Sequence, residues 1–200
     1  MDGGVSARRA TAADAGRITT IIALAFAEDP VWKPALARPD GGTAHHEAMW
    51  RPFVDGALRY PATWLTTGGE AVAIWIPPGG TGMTPQQEER AAGNAAEHLG
   101  PAAGVYFELL DTIHAAHPAG EPHYFLTLFG THPSHRGHGF GMRLLAQNLE
   151  LIDAEHRPAY LESSNPANDR RYASVGFEPI GEVRCPPGGA VLTTMWRAAR

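Results

Sequence analysis

The chain has 200 residues, 44% of them hydrophobic and 18% charged, and a formal net charge of −5 at pH 7. That content supports one sizeable core, read here as a single domain over 1–200, and the acidic balance without any basic stripe argues against a nucleic-acid partner. No apolar run approaches the roughly 18 residues of a membrane span, no charged-then-apolar leader opens the chain, and the one cysteine, Cys185, fits a reducing compartment, so a soluble, cytoplasmic protein without a membrane partner is expected.

Residues 5–10 read as a first strand, and Thr11 to Asp14 as a helix entry, with a capping threonine and an acidic residue at the positive helix end. Ile18, Ile21, Ile22, Ala25 and Phe26 then recur on one face, and the helix must stop by Asp29 because Pro30 disfavours helical geometry before it. Residues 32–40 read as an irregular loop, and 43–59 as a second helix, broken or kinked near Pro52. Residues 62–67 and 71–76 form a hairpin about Gly68-Gly69. A helical insert follows over 84–117, with its break at Gly100-Pro101.

An apolar strand over 124–129 then stops at Gly130, a glycine-rich turn follows, and Leu144, Leu145, Leu149 and Ile152 recur at helical spacing. A strand at 159–162, a helix at 167–174 and strands at 177–184 and 191–196 complete the chain. The alternation predicts an α/β fold with a mixed central sheet of about six to seven strands flanked by helices, and no internal repeat is present.

The turn between the 124–129 strand and its helix is a socket for phosphate. Gly137, Gly139 and Gly141 have no side chain to keep an anion from the backbone, and the helix start offers unpaired amides and a favourable dipole. A P-loop is excluded, because it needs a lysine at its end and the only lysine is Lys33. A dinucleotide fingerprint fails where Leu144 stands in place of its third glycine. What remains is Arg136-x-x-Gly139-x-Gly141, which resembles the pyrophosphate loop of the GNAT family of N-acetyltransferases.

Asn165, Asn168, Tyr172, Gly176 and Phe177 resemble that family's second signature, an asparagine-led helix ending in tyrosine and Gly-Phe. Within the family the likeness runs nearly end to end with the puromycin N-acetyltransferase branch of actinobacterial enzymes, departing from it at Asp29, where that branch carries tyrosine. The resemblance implies acetyl-CoA as co-substrate, a small-molecule amine as acceptor, and a monomer or homodimer. Alternatives are a non-catalytic acyl-CoA-binding regulatory module and a protein or peptide N-acetyltransferase. The latter needs an open groove, whereas residues 84–117 stand able to cover the pocket.

In that frame the amides of Gly137, His138, Gly139, Phe140, Gly141 and Met142 cradle the pyrophosphate, and Arg136 adds charge. Main-chain groups of Phe129 and Thr131, either side of Gly130, pair with the pantetheine as with an added strand. Tyr172 is the candidate acid, since a phenol stays protonated at neutral pH yet can protonate a departing thiolate.

Glu162 is the candidate base for an amine that is otherwise protonated, with a water-holding or structural carboxylate as its alternative. Asn165 and Asn168 either cap the helix or touch the cofactor. Phe26, Trp32 and Tyr106 are candidates to line the acceptor pocket, with Trp50 and Phe107 beside them, and Asp29 to select a cationic acceptor. His132, His135 and His138 recur every third residue, but in a loop of proline and glycine, so no metal site is expected. His114 and His117 read as a surface pair, and Cys185 as a plain strand-end thiol.

Overall fold

The computed structural model describes residues 5–200. Residues 1–4, which the single-domain expectation includes, lie outside the described residues. Seven strands form one mixed sheet: β1 (Ala7–Arg9), β2 (Thr63–Thr66), β3 (Ala71–Ile76), β4 (Tyr124–Thr131), β5 (Ala159–Ser163), β6 (Glu178–Cys185) and β7 (Ala190–Arg197), in the order β1-β2-β3-β4-β5-β7-β6. All neighbouring pairs are antiparallel except β4 and β5, which run parallel.

Among the described residues seven α-helices flank the sheet: α1 (Ala15–Phe26), α2 (Trp32–Ala35), α3 (His46–Ala57), α4 (Pro85–Leu99), α5 (Ala103–Ala116), α6 (Phe140–Ala154) and α7 (Asp169–Ala173). Among the described residues no helix is long and apolar enough to cross a membrane.

Every residue of β3 is buried, because both faces of the sheet are covered. Val72, Ile74 and Ile76 face a cluster with Ile18 and Ile22 of α1 and Met49, Trp50 and Val54 of α3. Ala71, Ala73 and Trp75 face the other cluster, with Leu144, Leu145 and Leu149 of α6. Within it Trp75 donates its indole N–H to Asn148 Oδ1 at 2.9 Å, which satisfies two buried polar groups at once.

Four local expectations change in the structure. Residues 32–40 are not wholly irregular: Trp32–Ala35 forms a helical turn because the Asp29 carboxylate accepts from the amides of Val31 (3.0 Å) and Trp32 (3.2 Å). Pro52 lies inside α3 without breaking it. The ring removes the donor that Ala48 O would have met one turn back, and Asn94 of α4 supplies a replacement at 2.7 Å, so the insert repairs the helix it covers.

β4 does not stop at Gly130 but runs to Thr131, since Gly130 and Thr131 pair with Val72 and Ala71 of β3. Glycine is required there: a Cβ on Gly130 would stand 2.9 Å from Ala25 Cβ of α1. Finally, His117 is only half-buried rather than a free surface residue, because α5 ends at Ala116 and the ring turns against Phe125 and Tyr160.

The start of α3 carries two buried histidines, His45 and His46. Burial lowers the pKa of both, in His45 against the raising effect of its bond to Leu36 O, and among the described residues His45 Nδ1 has no partner. A folded pKa below the unfolded value near 6.5 stabilises the fold above pH 6.5, and that contribution is lost as pH falls through the folded pKa. The melting temperature should therefore drop more steeply on acidification below about pH 6.5 in the wild-type protein than in a His46→Phe variant, at about 2–4 °C per kcal/mol lost. Parallel pH slopes in thermal melts of the two proteins would contradict this reading.

Candidate active site

β4 and β5 pair from Tyr124–Ala159 to Leu126–Leu161 and then part. The separation begins where β4 carries an extra residue: Ile74 faces Leu128 but Trp75 faces Leu126, which leaves Thr127 as a bulge. The bulge also reverses the side-chain alternation, so that Leu126 faces the α6 cluster and Leu128 the α1 cluster. Beyond it, residues 128–131 pair with β3 on one edge and are bare on the other, while Glu162 and Ser163 of β5 pair with Thr194 and Thr193 of β7.

A cleft of about 600 Å³ opens between the two strands. One end is the glycine turn: Gly137 and Gly139 sit at φ +82° and +75°, in the left-handed region where a side chain strains the backbone. Gly141 is the second residue of α6, and a Cβ there would meet Thr131 Oγ1 at 2.6 Å. The backbone of α6's first turn is thus bare toward the cleft and close to β4, a fit for a pyrophosphate bound by amides and helix dipole.

Phe129, Gly130, Thr131, Arg136, Gly137, Gly139, Phe140, Gly141 and Met142 all line the cleft. Arg136 also donates to Ala25 O at 2.9 Å, which ties the turn to the end of α1. His138 does not line it; its ring is held outward by the Arg136 carbonyl, 3.0 Å from Nδ1.

The other end gathers Tyr172, Glu162, Asn165 and Asn168. Tyr172 is fixed by the first residue of its helix: the Asp169 carboxylate accepts from Ser163 Oγ at 2.6 Å and Thr193 Oγ1 at 3.0 Å, which pins α7 to the end of β5 and the middle of β7. Its ring packs between Phe129 and Phe177, and among the described residues no hydrogen bond occupies its hydroxyl. Burial above all, then the Asp169 and Asp29 carboxylates, raises the Tyr172 pKa well above the usual phenol value.

Asn165 caps its turn by accepting from the Ala167 amide at 3.0 Å, whereas Asn168 accepts from the Arg171 guanidinium at 2.6 Å, and both asparagines line the cleft. Glu162, whose side chain is 11% exposed, accepts the Tyr160 hydroxyl on Oε1 at 3.0 Å and faces His117 Nδ1 at 3.7 Å.

Of the residues expected at the acceptor side, Phe26, Asp29 and Trp32 line the cleft. Tyr106 does not: only 2% exposed, it belongs to the core under the insert, as does Trp50, against which Phe26 and Trp32 stack. Asp29 is less a free anion than a buried tie. Beyond the two α2 amides it accepts from Ser164 Oγ at 2.7 Å, and burial raises its pKa against those hydrogen bonds.

Ser164, Ile113 of α5, and Leu192 of β7 complete the walls, and sequence reading did not single them out. Cys185 lies buried in a seam with Leu192 and Val31, where burial first, then the Glu162 and Asp29 charges, pushes its thiol up to about 11. Such a thiol is no nucleophile at neutral pH. Among the described residues no cluster of histidine, cysteine and carboxylate is arranged to hold a metal ion.

Residues 60–177 match the model of the acetyltransferase (GNAT) family. The whole chain superposes on a protein described as histone acetyltransferase HPA2 and related acetyltransferase from Corynebacterium glutamicum, with TM-score 0.70, 26% identity, and coverage of 98% of this chain and 97% of that one. Its fold is also shared with the polyamine N-acetyltransferase of Drosophila melanogaster (TM-score 0.65, 16% identity, 97% and 99% covered) and arylalkylamine N-acetyltransferase 2 of Aedes aegypti (0.64, 15%, 99% and 100%). With the family model spanning more than half of the sequence and the glycine turn, parted strands and tyrosine helix meeting in one cleft, the chain belongs to the acetyltransferase (GNAT) family, acyltransferases that use acetyl-CoA.

Proposed function

We propose that the protein transfers an acetyl group from acetyl-CoA to the amine of a small molecule by direct transfer within a ternary complex. The observation that carries this reading is the convergence, on one cleft, of an anion cradle at the start of α6, the bare edge of β4, an unengaged tyrosine hydroxyl and a carboxylate. Acetyl-CoA supplies an already activated acyl group, so no covalent enzyme adduct is needed. The amides of 137–142 and the dipole of α6 hold the pyrophosphate, and main-chain groups of Phe129 and Thr131 hold the pantetheine as an added strand. Glu162 takes the proton of the bound ammonium, and Tyr172 returns one to the departing thiolate.

A small acceptor is favoured by a wall to which α5 contributes Ile113, β7 Leu192 and α2 Trp32, bordering the cleft where a peptide would need an open groove. The neighbours that acetylate polyamines and arylalkylamines lend weight to a cationic acceptor. Puromycin and other amine-bearing antibiotics belong in the first acceptor panel, and the cytoplasm is the location this reading implies.

Initial rates test the order of events. Varying acetyl-CoA and an accepted amine together should give intersecting double-reciprocal lines. Parallel lines would show a covalent acyl-enzyme and overturn direct transfer. Turnover with peptides but with no small amine would overturn the acceptor class.

A further inference from the structure

Glu162 sits at the end of a chain of imidazoles. His117 Nδ1 stands 3.7 Å from Glu162 Oε1, and His117 Nε2 stands 3.2 Å from His123 Nε2. His123 Nδ1 in turn lies 2.8 Å from the carbonyl of Glu121, on the exposed 117–123 loop. That last bond fixes the direction of the others, because a carbonyl only accepts. His123 therefore carries its proton on Nδ1 and presents a lone pair at Nε2. His117 must then donate from Nε2, which leaves the lone pair of its Nδ1 aimed at Glu162.

Both rings are held in place by aromatic neighbours. His117 lies edge-on to Phe125 and Tyr160, with centroids 4.8 and 4.9 Å away, and His123 to Tyr160 and Trp196, at 5.6 and 5.0 Å. The ionisable groups that face His117 are Glu162 and Tyr160 from β5 and His123 ahead of β4.

We propose that His117 and His123 form a proton relay that clears Glu162 to solvent between turnovers, an inference that rests on Glu162 being the base. The ammonium gives one proton to the Glu162 carboxylate, and the resulting acid hands it to His117 Nδ1 once the 3.7 Å between them closes to hydrogen-bond distance. His117 passes its Nε2 proton to His123 Nε2, and His123 loses its Nδ1 proton to water at the loop surface. The two rings return to their starting tautomers by ring turnover or by exchange with water. The second amine proton, shed as the amide forms, balances the one that Tyr172 gives the thiolate and regains from solvent. Net, an ammonium and acetyl-CoA become an amide, CoA thiol and one released proton.

The tests are His117→Phe, which keeps the aromatic packing and removes both nitrogens, and His117→Ala, which leaves room for added imidazole. Each should lower kcat by at least about tenfold, short of the 10²–10⁴-fold typical for loss of a general base itself, with KM for acetyl-CoA unchanged. The remaining rate should rise with buffer-base concentration, and imidazole should restore His117→Ala. A His117→Phe enzyme at wild-type kcat overturns the relay. So does a loss that neither imidazole nor buffer repairs, which marks a structural role.

Glu162→Gln separates the two levels of the argument. If it keeps full turnover, the base assignment itself fails. If it is inactive while His117→Phe is unimpaired, the relay alone fails.

Discussion

Replacing Tyr172 with phenylalanine lowers kcat by about 10²- to 10⁴-fold and leaves both the fold and acetyl-CoA affinity intact. The ring keeps its packing against Phe129 and Phe177, and the hydroxyl has no hydrogen-bond partner to forfeit among the described residues, so stability changes little. What the proposed mechanism loses is the proton for the thiolate. Because burial and the nearby Asp169 and Asp29 carboxylates raise the phenol's pKa, Tyr172 stays protonated throughout the neutral and mildly alkaline range. A wild-type rate that fell between pH 8 and about 10, the ordinary phenol value, would have to come from another group. Steady-state kinetics with circular dichroism of both proteins checks all of these points.

Glu162→Gln should lower the rate at pH 7 by a similar factor, about 10²–10⁴, for a different reason. Glutamine keeps the shape and can still meet the Tyr160 hydroxyl, but it cannot take a proton. A primary amine with pKa near 10 is neutral in only about one molecule per thousand at pH 7, and the variant must wait for that fraction. Its kcat/KM for the amine should therefore climb about tenfold per pH unit until the amine's own pKa is reached, while the wild-type profile is flatter. A variant profile that tracks the wild type would remove Glu162 as the base.

The parts of the site that could be read in the sequence are those made of neighbours in the chain. Gly137 to Met142 and the apolar period of α6 form a local signal, and those residues, His138 excepted, line the cleft at the start of α6. Tyr172 is legible for the same reason, since α7, Gly176 and Phe177 follow in order.

The misreadings come from partners far apart. Asp29 looked like a free anion at a helix tip, but its hydrogen bond to Ser164 spans 135 positions and makes it a buried tie. Tyr106 is an aromatic on an apolar helix face, and only the packing of the insert decides that it faces the core rather than the cleft.

Gly130 looked like a strand stop because glycine weakens strands in general, while here it admits Ala25 of α1. His117 was paired with His114 at the surface because helical periodicity was extended to it. Pro118 was the available signal: a residue before proline leaves helical geometry, and at φ −65° and ψ 126° His117 does so and swings its ring toward Glu162.

The most direct test of the whole account is thiol release from acetyl-CoA by the purified protein across a panel of polyamines, arylalkylamines, aminoglycosides, puromycin and peptides, with Tyr172→Phe assayed alongside. The account predicts release that depends on a small amine and collapses in the variant. Acetyl-CoA bound tightly but never consumed with any amine, or equal release by both proteins, would contradict it.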